Sequence, residues 1–324
     1  MRAVRVHELS GPGALRVDEL PTPSVSSGHV LIDVRAAGVN FPDILITRGQ
    51  YQFKPALPFA PGGEVAGVVR EVGQGVGSVK PGDRVLATML SGGYAEQVVV
   101  PELTVVKLPD SVGFEVAAAT PLTYLTTYHA LVDRAAIQPG ESLLVLGAAG
   151  GVGTAAVELG AAMGARVIAA ASSEDKLAFC RAHGASETID YSREDLKDRI
   201  KALTGGNGVD VVYDPVGGAL AEPALRGIAW RGRYLVIGFA SGEIPKIPLN
   251  LVLLKGCQIV GVFWGSHHMR DLARSRAQAE QVLAWIAAGK LHPAVDATFP
   301  FTSAAQALER IERRQVKGKI VLVP

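Results

Sequence analysis

Between Leu143 and Gly153 the chain reads LLVLGAAGGVG. Leu143 to Leu146 form the short, wholly apolar run expected of a parallel strand covered on both faces, and Gly147, Gly150, Gly151 and Gly153 follow at once. The small-residue stretch TAAVELGAAMG then reads as a helix. Strand, glycine turn and helix in succession make the first unit of a dinucleotide-binding fold. Gly147 lets the chain turn sharply, and Gly153 lets helix pack close on strand. The Gly150-Gly151-Val152 backbone can approach a pyrophosphate, to which the helix N-terminus offers N–H groups and a positive dipole end. The spacing is G-x-x-G-x-x-G, looser than G-x-G-x-x-G, and by itself it also suits an ordinary strand-to-helix turn.

A second chemical signal lies about 20 residues on, where NAD-specific sites carry an Asp or Glu for the ribose 2′-hydroxyl. Here the strand ARVIAAA runs out into Ser172 and Ser173, and no carboxylate sits there. Serine hydroxyls and backbone amides can donate to a 2′-phosphate, and Lys176, one turn into the next helix, can supply charge; the expected cofactor is therefore NADPH. Ser173 also suits a helix N-cap, and Lys176 a solvated surface position. Glu174 and Asp175 weigh slightly against an anion unless they point to solvent.

The elements that position these residues can be read in order. The chain's 324 residues suggest two domains. Its 32 basic and 31 acidic residues give no footprint for nucleic acid. Two distant cysteines, Cys180 and Cys257, exclude a disulfide framework and suggest a reducing, cytoplasmic setting. MRAVRVHELSGPG has no apolar signal core. The apolar stretch 143–171 is interrupted by Glu158 and Arg166, so it reads as a buried core rather than a membrane span. Roughly the first 110 residues are short strands punctuated by Gly and Pro, of antiparallel type. FEVAAATPLTYLTTYHALVDRAA reads as helical. From Leu143 six strands alternate with helices, a complete doubly wound parallel sheet. RAQAEQVLAWIAAGKLHPAV reads as an amphipathic helix; a further helix and the strand KGKIVLVP need a partner sheet, which the N-terminal region can supply.

Several segments, in order and spacing, carry a family resemblance: GVNFPDILITRGQY (38–51), GGEVAGVVREVG (62–73), PGDRV (81–85), AATPLTYLTTYHAL (118–131), AAGGVG (148–153), DPVGG (214–218) and KGKIVL (317–322). Together they resemble the zinc-independent quinone oxidoreductases of the medium-chain dehydrogenase/reductase superfamily. The resemblance implies a GroES-like catalytic domain from residues 1–121 and 263–324 and an inserted Rossmann domain from 122–262. It also implies a cofactor in the cleft and a homodimer.

The resemblance sharpens the metal question. Zinc-dependent relatives carry a cysteine where this chain has Asn40 and a histidine where it has Gly63, and the lobe with four clustered cysteines is missing. His267 and His268 are adjacent, an awkward spacing for two ligands of one ion, and read as loop residues. No catalytic metal is expected, and Glu64 is left for an internal ion pair or a catalytic role. Without a Lewis acid the chemistry left is hydride delivery to an acceptor that is already electrophilic, a quinone or an enone. By resemblance Asn40 and Tyr51 face the cleft, where Asn40 can donate to a substrate oxygen or to the cofactor and Tyr51 can hydrogen-bond the acceptor carbonyl; the plain alternatives are a turn residue and a half-buried aromatic. Thr126 matches a threonine that meets the nicotinamide, with a helix-bonding hydroxyl as the alternative. Asp43 and Arg48 are pocket residues or a local ion pair. Tyr191 matches a tyrosine beside the 2′-phosphate, or is a strand-end aromatic. Phe239, Ala240 and Ser241 after the fifth strand, and Val262, Phe263 and Trp264 ending the sixth, are expected to border the nicotinamide; the alternative for Phe263 and Trp264 is a dimer seam, to which Trp264 is equally suited. The expected activity is a cytoplasmic NADPH-dependent quinone reductase. The alternatives are a 2-enoyl or enone reductase, and a non-catalytic, crystallin-like NADPH-binding protein.

Overall fold

The computed structural model describes residues 1–324. The N-terminal part holds β1 (Arg2–Val6), β2 (Leu15–Glu19), β3 (His29–Val39), α1 (Phe41–Thr47), β4 (Glu64–Val72), β5 (Arg84–Thr88), β6 (Gln97–Pro101), β7 (Val105–Lys107) and α2 (Phe114–Ala118). A short α3 (Thr126–Tyr128) precedes β8 (Ser142–Leu146), α4 (Gly151–Ala162), β9 (Arg166–Ala171), α5 (Glu174–Ala182), β10 (Glu187–Asp190) and α6 (Leu196–Leu203). Next come β11 (Val209–Asp214), α7 (Ala221–Arg226), β12 (Ile228–Val236), α8 (Leu249–Lys255), β13 (Gln258–Gly261) and α9 (Trp264–Arg270). The chain closes with α10 (Leu272–Ala287), β14 (Val295–Pro300), α11 (Ala304–Glu312) and β15 (Lys319–Val323).

Two compact units divide these elements. One comprises residues 1–122, 268–289 and 293–324, the other residues 123–267 and 290–292. In the first, a seven-stranded sheet runs β14-β15-β3-β4-β5-β7, with β6 paired to β3. β15 lies antiparallel to β3, Val321 opposite Gly38, so the tail strand completes the sheet that the N-terminal residues begin. Val30, Ile32, Val34, Val65, Val85 and Ile320 are all buried in its core, each with a relative exposure of 2% or less. This is the GroES-like β domain.

The second unit is a Rossmann-like sheet of six parallel strands, β10-β9-β8-β11-β12-β13. The order reverses direction between β8 and β11, the topological switch at which open α/β sheets bind ligands. Every residue of β8 is buried, as a strand covered on both faces demands.

The stretch after Gly113 is helical, as expected, but not as one α-helix: after α2, π-helical turns over Pro121–Leu125 and His129–Arg134 flank the single α-helical turn of α3, and Pro121 has no N–H to offer a continuing ladder. Two local expectations need correction. The sixth strand ends at Gly261, so Phe263 lies beyond it and Trp264 opens α9. His267 and His268 lie within that helix rather than in a loop.

Candidate active site

In the Rossmann unit the turn after β8 takes the shape its glycines predict. Gly147 has φ 58°, the left-handed region. A Cβ on Gly153 would stand 2.3 Å from the Gly147 carbonyl oxygen, so no side chain fits there. At Gly150 the only neighbour of an added Cβ is that same oxygen, at 3.4 Å, an ordinary contact. The protein fold therefore does not demand glycine at 150; the space is a cradle that a side chain would fill. Gly150 is the N-cap of α4 and brings no side-chain cap, leaving the first-turn amides of Gly151, Val152 and Gly153 for an anion. These residues fit a dinucleotide pyrophosphate.

At the end of β9, Ser172 is exposed and Ser173 caps α5 without a side-chain hydrogen bond. Lys176 is half-buried in the first turns of α5. Glu174 pairs with Arg181. Tyr191 directly follows β10, and its N–H donates to the Ala171 carbonyl (3.2 Å). The structure thus brings Ser172, Ser173 and Tyr191 to one corner of the sheet.

At the switch point itself, Asp214 caps the DPVGG turn, its Oδ1 accepting from the N–H groups of Val216 (2.8 Å) and Gly217 (2.9 Å). The 239–241 loop packs on that turn: a Cβ on Gly217 would meet the Phe239 ring at 2.9 Å. Phe239 and Ala240 are exposed there. Val262 is buried and Phe263 is 56% exposed. Thr126 is buried; next to it the Thr127 hydroxyl donates to the Thr123 carbonyl (2.8 Å) and meets the Tyr213 hydroxyl (2.8 Å), while the Thr120 hydroxyl donates to the Val116 carbonyl (2.7 Å). Cys180 is buried, which pushes its thiol up to about 12 and removes it as a nucleophile.

In the GroES-like unit a buried lysine, distant in sequence from Asn40 and Glu64, holds the two together. Lys319, the first residue of β15, is buried, and its Nζ lies 2.6 Å from Glu64 Oε1, 2.5 Å from Asn40 Oδ1 and 2.7 Å from the Val39 carbonyl. Asn40 Nδ2 donates to Glu64 Oε1 (2.7 Å), and the Leu122 N–H donates to Oε2 (2.6 Å). Gly38 makes room for this carboxylate: a Cβ there would stand 2.1 Å from Oε1. Glu64 is thus the internal ion pair, with Lys319 as its partner. Asn40 sits beside it with one amide N–H beyond the bond to Glu64.

Asp43 does not pair with Arg48, which instead reaches Glu312 (2.6 Å). Asp43 Oδ2 accepts from the Asn40 N–H (2.8 Å) and the Tyr94 hydroxyl (2.9 Å). Burial pushes its carboxyl up to about 6, against the pull of these hydrogen bonds and of Lys319. Tyr51 packs, half-buried, on Val6, Ile46 and Phe59. Its phenol is raised above the usual tyrosine value, first by burial and then by the charge of Asp43, so it stays a hydrogen-bond donor at neutral pH.

The donor set at Asn40, Gly63 and Glu64 does not suit a zinc ion. One position is an amide, one has no side chain, and the carboxylate already faces an ammonium. A zinc site, catalytic or structural, asks for Cys, His or carboxylate ligands in tetrahedral reach.

Comparison with known proteins agrees with both halves. Residues 26–110 match the family described as alcohol dehydrogenase GroES-like domain, and residues 151–287 the one described as zinc-binding dehydrogenase. The quinone oxidoreductase-like protein 2 homolog of Nematostella vectensis is 42% identical over 99% of this chain and 88% of its own. The human quinone oxidoreductase is 34% identical over 100% of this chain and 98% of its own. The structure of Escherichia coli quinone oxidoreductase complexed with NADPH superposes with a TM-score of 0.94 at 31% identity, covering 100% of both chains. On this evidence the chain is an oxidoreductase that belongs to the quinone oxidoreductase-like group of the medium-chain dehydrogenase/reductase superfamily.

Proposed function

We propose that the protein is an NADPH-dependent reductase that delivers hydride to a quinone without a catalytic metal. The observation that carries the reading is the neutralised carboxylate: Lys319 and Asn40 occupy both sides of Glu64 Oε1. A site built this way does not polarise an alcohol, and it leaves acceptors whose electrophilicity is their own. One relative is named quinone oxidoreductase and another quinone oxidoreductase-like protein 2 homolog, which supports the same choice.

When bound, the nicotinamide supplies the hydride. The backbone of Gly150, Gly151, Val152 and Gly153 holds the pyrophosphate, and Ser172, Ser173, Lys176 and Tyr191 receive the 2′-phosphate. Phe239, Ala240, Val262 and Phe263 border the nicotinamide, which Thr126 contacts. Asn40, through its second N–H, and the neutral phenol of Tyr51 donate to the acceptor oxygen, where negative charge builds as hydride arrives. Hydride plus one proton from water turns quinone into hydroquinone, so no buried general acid is required. The working assembly is a homodimer.

A panel of ortho- and para-quinones, enones and enoyl thioesters, each assayed with NADPH, tests the proposal. The expected result is turnover of quinones with kcat/KM well above that for the other two classes. A preference for enones or thioesters would replace quinone reduction by alkene reduction. Binding of NADPH without turnover of any acceptor would leave a cofactor-binding protein.

A further inference from the structure

Away from these residues, within the Rossmann unit, His129, Asp133 and His267 converge. His129 Nδ1 lies 2.7 Å from Asp133 Oδ2, and His267 Nε2 lies 3.9 Å from the same oxygen. One ligand atom from each of the three falls within 4.8 Å of the other two. We propose that these three side chains form a binding site for a borderline divalent transition cation, Zn2+ or Co2+, that clasps the 129–134 segment to α9 and takes no part in hydride transfer.

Local structure makes the convergence. His129 and Asp133 are four residues apart on one π-helical turn, a widened helix that recurs at functional sites. The neighbouring Arg134 donates through Nε to the Gly261 carbonyl (3.1 Å), which ties this segment to the end of β13, just ahead of α9. α9 then presents His267, and its ring stacks on that of His129 with centroids 4.0 Å apart and planes 14° apart. His268, next in the chain, faces other partners, Thr88 Oγ1 (3.0 Å) and Ser275 Oγ (2.7 Å), so only one of the adjacent pair takes part.

The cluster is nearly dry. The side chains of His129, Asp133 and His267 are 10%, 9% and 18% exposed. His267 Nε2 is buried and makes no hydrogen bond, its distance to Oδ2 being too long for one. A buried polar atom without a partner calls for an explanation, and a cation between Nε2 and Oδ2 supplies it. Metal–ligand bonds of about 2.0–2.1 Å at tetrahedral angles put ligand atoms roughly 3.3 Å apart. The 2.7 and 3.9 Å separations bracket that value; the site forms by opening the short contact, closing the long one and turning one imidazole out of the stack, because the in-plane lone pairs of near-parallel rings do not meet at one ion. Two imidazoles and one carboxylate favour Zn2+ or Co2+ over Mg2+ or Ca2+, which prefer all-oxygen shells; water completes the coordination. Arg134, next in the chain, opposes a cation and limits affinity. Binding displaces the proton shared by His129 and Asp133, so affinity falls as pH falls.

Chelator-treated protein titrated with Co2+, followed by ligand-field absorption and calorimetry, tests the site. The expected result is one equivalent per chain with a tetrahedral or five-coordinate spectrum, no response to Mg2+, and competition by Zn2+. His267→Gln and Asp133→Asn, each verified as folded by circular dichroism, should weaken Co2+ by more than the roughly 10- to 100-fold that losing a ligand's hydrogen-bonding neighbour costs. Absence of the spectrum in the wild type overturns the proposal, even if neither variant folds. So does one-equivalent binding that survives both substitutions, since the cation is then held elsewhere.

Discussion

Asp43 shows how burial sets chemistry residue by residue. Its carboxyl is raised to about 6 from 3.8, so the folded state binds the proton more tightly than the unfolded chain does. The stability this contributes is full below the unfolded value and is lost as pH rises through about 6. Asp43→Asn keeps an acceptor for the Asn40 N–H and the Tyr94 hydroxyl but has no charge to desolvate. Relative to wild type, the variant should therefore gain roughly 2–3 kcal/mol between pH 4 and pH 7. Denaturant unfolding across that range checks it, and a stability difference independent of pH would refute it. The Lys319–Glu64 pair is the harder case for sequence reading. Asn40 and Lys319 are 279 positions apart, and no spacing rule joins them. The one local sign is a lysine leading the wholly apolar run Ile320-Val321-Leu322, where burial demands a counter-charge. Removing Lys319 alone would strand a buried carboxylate, a loss of about 3–5 kcal/mol.

The legible elements are those whose pattern and packing agree. β3 is found at 29–39, as HVLIDVRAAGV suggests, and the alternation of strands and helices from Leu143 onward appears as six parallel strands. The π turns around α3 were not legible, because their residues have the same apolar pattern as an α-helix and differ only in hydrogen-bond register. The short β13 was overread for a similar reason: Val262, Phe263 and Trp264 are as apolar as a strand but begin the turn into α9. The glycine turn is the element whose role can be isolated. Gly150 has φ −78°, open to any residue, and an added Cβ meets nothing closer than 3.4 Å. Gly150→Val should fold normally, with a circular dichroism spectrum like that of wild type, while its affinity for NADPH falls at least about tenfold as the side chain displaces the pyrophosphate. A folded variant with undiminished affinity would mean that the turn holds no phosphate.

For the whole molecule, the sequence carried the architecture because two separate patterns, the Gly/Pro-punctuated β region and the βα alternation, each specify a fold. A dimer was suggested only through family resemblance. In the structure β13 is an edge strand with Ile259 40% exposed, and the same unit exposes Trp230, Leu249, Leu253 and Leu254 at 68–79%. An open edge beside exposed apolar side chains invites pairing. Light scattering should find a dimer, and Leu253→Glu with Leu254→Glu should shift it toward monomer; a monomeric wild type would contradict this. No helix is long and apolar enough to cross a membrane. The proposal that joins cofactor to chemistry is that NADPH, recognised at the end of β9, reduces a quinone without a metal. Its most direct test is kcat/KM with NADPH and with NADH, for a small ortho-quinone, on chelator-treated wild type and Lys176→Ala. One charged hydrogen bond is worth about 1.5–3 kcal/mol. The expected result is a chelation-insensitive wild type that prefers NADPH, and a variant that loses roughly tenfold to a hundredfold with NADPH but little with NADH. A wild type that favours NADH, equal losses with both cofactors, or an activity lost on chelation and restored by zinc would contradict it.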